Sequence, residues 1–249
     1  IPSDVTGIGK YAFSNMCYLR EIIYFGTQEE WEAIRFGDGW DNSMGNWVTG
    51  GTTIRFLNGE YDPETADGYT HGLSFILNPD TGTYYVEKYA GTDTEVIIPS
   101  HYYGIAVTGI SYRAFYGNNE HNSSITKITV SGSITYIGEE VFGSCIALTE
   151  VSLPEGIKEI PASAFRGCTS LESIDIPSTV ESIGNYAFQD CSALKNVQLS
   201  TSLSTIGQYA FNSSGLVSIV IPENVTVIGY EAFRYCQNLA EIVIPNSVT

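Results

Sequence analysis

The chain has 249 residues, 43% of them hydrophobic, and no apolar run near the roughly 18 residues that mark a membrane span, so membrane insertion by this segment is not expected. Twenty-eight acidic against 11 basic residues give a net charge of −17, which repels phosphate backbones and argues against a nucleic-acid partner. Charged residues make up only 16%, and Ser, Thr, Asn, Gly and Tyr supply much of the remaining polar surface, a composition commoner outside the cell than in the cytosol. Five cysteines is an odd number, so a complete intramolecular disulfide framework cannot form.

The first residues, "IPSDVTGIGKYAFSNMCYL", already lie inside a phrase that returns along the chain. The last, "IPNSVT", start another copy, so the segment reads as part of a longer protein, and the lack of a signal peptide at its start says nothing about localisation. Residues 1–23 form the last repeat of a first array. Then the period lapses. "TQEEWEAI" (27–34) predicts a short helix, with Thr27 and Glu30 as a capping box and Trp31 and Ile34 as its apolar stripe. The Gly- and Asn-rich stretch carrying Trp40 and Trp47 reads as a loop, and "TTIRF" (52–56) as a strand closing the first array. Residues 24–57 are therefore expected to cap that array, and the acidic 58–72 to be a linker. "LSFIL" and "TYYVEKY", joined by "NPDTG", predict a β-hairpin, so that 73–95 caps the start of a second array over 96–249, with six repeats and the start of another.

In that second array Phe142, Phe165, Phe188, Phe211 and Phe233 are spaced by 23, 23, 23 and 22 residues; Phe13 and Phe115 hold the same place in outlying copies. A fixed period of this size means a solenoid, each unit burying its apolar face against its neighbours. The unit 171–193 shows how. Leu171, Ile174 and Ile176 have the alternation of a short strand, and Pro177 ends it because proline cannot donate to a ladder. Val180 and Ile183 point inward from a second extended segment, Gly184 allows a bend, and a turn or single helical turn carries Ala187, Phe188 and Cys191 inward. Each rung is three-sided, with the phenylalanines stacked as a spine.

The full pattern L-x-x-I-x-I-P-x-x-V-x-x-I-G-x-x-A-F-x-x-C, matched at every named position by 171–191, resembles the BspA-like branch of the leucine-rich repeats over about 1–24 and 96–249. It departs at the cysteine position, where Met16, Asn118 and Ser214 stand in three copies, and in a longer loop, "GNNEHNSS". The resemblance implies a right-handed, curved solenoid with a parallel sheet on one face. It also implies a secreted or surface-anchored protein that binds other proteins in adhesion to host or neighbouring cells.

The residues themselves show no catalytic centre and call for no cofactor. Cys145, Cys168, Cys191 and Cys236 share one rung position, with Cys17 one residue past it; without C-x-x-C spacing they read as buried, reduced core residues rather than metal ligands. His71, His101 and His121 are scattered in loops, no hydrolase, zinc-protease or phosphate-loop motif occurs, and "DGWDN" (38–42) lacks the glycine and distal glutamate of a calcium loop. Trp40 and Trp47, with Tyr61 and Tyr69, have two readings: an exposed platform for carbohydrate, or packing within the cap.

Recognition is expected on the outward residues of the strand face: Lys127, Glu150, Ser152, Ser173, Asp175, Asn196, Gln198, Val220 and Val243. The rival in another class is the non-catalytic targeting region of a larger secreted enzyme.

Overall fold

A strand of two to four residues has too few hydrogen bonds to stand alone, so a chain of such strands gains stability only by stacking them. The computed structural model of this protein, described at residues 5–8, 21–24, 26–36, 53–56, 70, 72–102, 105–117 and 122–249, does this throughout. It divides into two compact units, 1–66 and 67–249.

In the first unit β1 (Gly7–Ile8) and β2 (Glu21–Tyr24) precede the helix α1 (Gln28–Glu32), followed by β3 (Arg35–Phe36) and β4 (Thr53–Phe56). β3 pairs in parallel with β1, and β4 in parallel with β2. The stretch with no visible period thus stacks as one long rung with a helix inserted. The capping box forms as the sequence predicts: the Glu30 amide donates to Thr27 Oγ1 at 3.2 Å, and the Thr27 amide to Glu30 Oε2 at 2.8 Å. Trp31 and Ile34 are buried, and Trp31 meets the Tyr24 ring edge-on. Trp40, Trp47, Tyr61, Tyr69, Cys17, Phe13, Met16, Asn118, His71, His121 and the 38–42 loop lie outside the described residues.

The second unit opens with the hairpin of β5 (Leu73–Asn78) and β6 (Thr83–Tyr89), followed by β7 (Glu95–Ile98), β8 (His101–Tyr102) and β9 (Ile105–Ile110). β6 runs parallel to β9, placing the hairpin along one sheet edge. Thr70 lies along β7: its amide donates to the Ile97 carbonyl, and its hydroxyl accepts from the Ile97 amide at 2.7 Å.

Each later rung adds two short strands. The first set is β10 (Lys127–Val130), β12 (Glu150–Ser152), β14 (Ser173–Asp175), β16 (Asn196–Gln198), β18 (Ser218–Val220) and β20 (Glu241–Val243). The second set is β11 (Tyr136–Ile137), β13 (Glu159–Ile160), β15 (Ser182–Ile183), β17 (Thr205–Ile206) and β19 (Val227–Ile228). With β7 the first set gives a parallel solenoid of seven stacked turns, paired as β7–β10–β12, β14–β16 and β18–β20; the second set pairs as β9–β11 and β13–β15–β17–β19, so this unit has parallel strands on two of its sides. The third side is made of turns that also bond across rungs. The amides of Tyr186, Phe188 and Asp190 donate to the carbonyls of Gln208, Ala210 and Asn212.

From Phe142 onward, each of those turns has a left-handed residue two places before and two places after its phenylalanine. Tyr186 (φ 59°) and Asp190 (φ 61°) flank Phe188, and Tyr209 and Ser213 flank Phe211 in the same way. The segment is a turn rather than a helix, and every second amide of it, at 186, 188 and 190, donates to the next rung.

Inside, the spine is continuous. Phe142, Phe165, Phe188, Phe211 and Phe233 lie 5.2–5.4 Å apart between ring centroids, and the last three interfaces are within 8° of parallel. Leu171, Ile174, Ile176, Val180, Ile183, Ala187 and Cys191 are all buried, the inward set that the repeat pattern predicts.

Candidate binding face

Alternation along the strands of the first set turns the middle residue toward the core and its neighbours outward, except in β20, where Ile242 is itself exposed. Ile128, Ile174 and Ile219 are buried, while Glu150, Ser152, Ser173, Asp175, Asn196, Gln198 and Ser218 are exposed. The parallel register then aligns the outward residues into two columns. Lys127 stands opposite Glu150, Ser173 opposite Asn196, Asp175 opposite Gln198, and Val220 opposite Val243. All nine residues singled out from the sequence therefore lie on one face.

That face is graded. Its middle is small and polar, whereas Val220 (67% exposed) and Val243 (47% exposed) form an apolar end with Val217 and Ile244. The Lys127 ammonium sits 2.7 Å from Glu150 Oε1, and this hydrogen bond and charge hold its pKa above the ordinary lysine value. Two members escaped the sequence reading: Glu95, opposite Lys127, and the exposed Ile97, opposite Thr129. Their signal was present in "EVIIP", where Val96, Ile98 and Pro99 repeat the I-x-I-P spacing of 174–177.

The cysteines do more than fill space. Each thiol donates to the carbonyl oxygen of the phenylalanine one rung back: Cys145 to Phe115, Cys168 to Phe142, Cys191 to Phe165 and Cys236 to Phe211, at 3.0–3.1 Å. The same carbonyls of Phe142, Phe165 and Phe211 also accept an amide from within their own rung. In the sixth copy Ser214 takes the cysteine place, is buried, and meets Cys236 Sγ at 3.3 Å. These four cysteines are free thiols. Burial pushes the Cys145 thiol up to about 12 and raises Cys168 and Cys191 strongly, so none of these three is poised as a nucleophile.

Among the described residues no group of three His, Cys, Asp or Glu side chains is placed to hold a metal ion, and no helix is long and apolar enough to cross a membrane. His101 is engaged with the Ser100 hydroxyl at 3.0 Å. The arrangement presents side chains on a rigid lattice.

A repeat of this length, with a strand closed by I-P, a glycine bend and a buried A-F-x-x-C turn, is matched by the BspA type leucine rich repeat region in six copies over residues 1–36 and 108–240. The chain belongs to this leucine-rich-repeat family. Among solved structures it is similar to a leucine-rich-repeat protein of T. pallidum (30% identity, 73% of this chain and 84% of that one, TM-score 0.68). It is also similar to a leucine-rich cell surface protein of Faecalibacterium prausnitzii (29% identity, 70% and 53%, TM-score 0.55). A third is the pneumococcal vaccine antigen PcpA (25% identity, 73% and 50%, TM-score 0.58). The chain spans about half the length of the latter two. No curated protein matches it.

Proposed function

We propose that this BspA-type repeat scaffold acts outside the cell or on its surface, without catalysis of its own, and binds a protein partner across the strand face in adhesion to host or neighbouring cells. The observation that carries the reading is the face itself. Seven short strands, paired in parallel within three sheets, carry two columns of variable side chains, while the recurrent residues are spent on the core. Its small polar middle costs little to desolvate, and the Val220/Val243 end offers the buried apolar contact on which a protein interface depends. The hairpin 73–95 fits a cap, since it occupies an edge that would otherwise expose unpaired backbone. The surface character of the Faecalibacterium relative supports the location.

The test is titration of fluorescently labelled protein onto intact epithelial cells and onto bacterial cells. Saturable binding to either, weakened about tenfold or more by Asp175→Lys with Val220→Ser, is expected. Absence of binding to both contradicts adhesion, and binding unchanged in the variant moves the site off this face.

A further inference from the structure

The second ladder is broken once. β11 is the last strand of one sheet and β13 the first of the next, with no strand pairing between them. One residue departs from the repeat pattern there. In the other rungs of this array a glycine follows the second strand and donates to the rung before: Gly138 to the Ile110 carbonyl, Gly184 to Ile160, Gly207 to Ile183 and Gly229 to Ile206, at 2.7–2.8 Å. The approach is so close that a Cβ on Gly184 would lie 2.6 Å from the Ala162 nitrogen, which only glycine permits. The residue due to donate to Ile137 is Pro161, which has no N–H and carries a ring.

The seam opens into a cavity of about 320 Å³, at the small end of the about 300–1,000 Å³ typical of ligand pockets. Tyr136 lines it, 46% exposed, with its ring stacked against Tyr85 at 5.4 Å and 23°. The Tyr85 ring lies over Gly109, where a Cβ would come within 2.7 Å of it, so the tyrosine pair is fixed by the backbone beneath. Glu159, Ser182, Thr135 and Ile157 line the cavity as well. Lys158 Nζ is bound to Glu181 Oε1 at 2.9 Å, which neutralises the cation and leaves Glu159 as the unbalanced charge among the lining side chains.

We propose that this seam is a subsite for one neutral sugar residue of a glycan. The Tyr136 ring packs on the apolar C–H face of the sugar, while Glu159 accepts from its hydroxyls and Thr135 and Ser182 exchange hydrogen bonds with others. A stacking ring beside uncharged and acidic hydroxyl partners matches a ligand that is apolar on one face and hydroxylated at its rim. The Glu159 carboxylate and the −17 net charge disfavour sulfated or sialylated glycans. An extended peptide fits poorly, because β11 and β13 each offer only two residues of backbone to pair with.

The experiment is saturation-transfer NMR with methyl hexopyranosides and N-acetylhexosamines at millimolar concentration. A microarray of neutral, sulfated and sialylated oligosaccharides accompanies it, on the whole chain and on two variants. Tyr136→Ala removes the stacking ring. Pro161→Gly restores the amide found in the other rungs and closes the seam while the core stays intact. Binding of a neutral sugar, lost at least about tenfold in both variants with the melting temperature of Pro161→Gly unchanged or raised, is the expected result. Absence of any neutral ligand, preference for anionic glycans, or binding that survives both substitutions overturns the proposal. Because the strand face is untouched by either variant, cell binding through that face is unaffected by this outcome.

Discussion

The Cys191 thiol donates to the Phe165 carbonyl oxygen 3.1 Å away, and that same oxygen accepts the Cys168 amide at 3.1 Å. Two consecutive rungs therefore meet at one acceptor, and the bond recurs at each described cysteine of the array. Cysteine suits the place because it combines a small apolar volume with one weak donor.

Cys191→Ala is expected to destabilise by about 1–2 kcal/mol, the lost donor and a small void together, while the Phe165 carbonyl keeps its amide partner. Cys191→Ser keeps a donor at a place where another rung carries Ser214, and should cost no more than the alanine variant. Urea unfolding of both checks this; a serine variant clearly worse than alanine would reduce the cysteine to an apolar filler.

The thiols also fix an alkaline limit. An unfolded cysteine ionises near the ordinary thiol value of 9.0, whereas Cys145 holds its proton to about 12, and Cys168 and Cys191 are raised in the same direction by burial. The unfolded state thus binds fewer protons than the folded one above pH 9, so stability is fully present below that pH and falls as pH rises toward 12. Unfolding free energies measured between pH 7 and 11 should show this slope. It should flatten in the triple variant Cys145→Ser, Cys168→Ser, Cys191→Ser.

The spine predicts a gradient of cost. Phe188 lies between Phe165 and Phe211 at 5.3 and 5.2 Å and is fully buried, so Phe188→Ala should cost about 3–5 kcal/mol. Phe233 is half-buried and stacks on Phe211, and Phe233→Ala should cost distinctly less. Equal losses in calorimetry would mean that the rings do not act as a stack.

Left-handed backbone at the turns predicts an inverted response to substitution. Asp190 has φ 61° at the place where the preceding rung has Gly167 at 75°. Asp190→Gly should change stability by less than about 0.5 kcal/mol, whereas the β-branched Asp190→Val should cost about 1–2 kcal/mol. Urea midpoints of the pair decide it.

Much of this was legible in the sequence because one rung constrains the next. The period in Phe142–Phe233, the proline after Ile176 and the alternation around Ile174 give the core, the strand ends and the outward columns directly. What stayed hidden depends on contacts between rungs. The donor role of Cys191 needs the position of a carbonyl 26 residues earlier, and the left-handed Tyr186 follows from aiming amides at the neighbouring rung. The long rung of 21–56 carries its stacking partners 28 to 32 residues apart, with Gly7 opposite Arg35 and Glu21 opposite Thr53, so no 23-residue period marks it. Pro161 stands where the other rungs have glycine, a departure whose meaning depends on which carbonyl of the preceding rung the glycine amide would meet.

The central claim is that recurrent residues carry the fold and leave the strand face free to bind. Its most direct test is the calorimetric melting temperature of a variant combining Asp175→Lys, Val220→Ser and Val243→Ser. A change within about 2 °C is predicted, the range of surface substitutions in a protein of this size. A fall of about 6 °C or more, comparable to that of Phe188→Ala, would contradict it and make the face part of the scaffold's own structure.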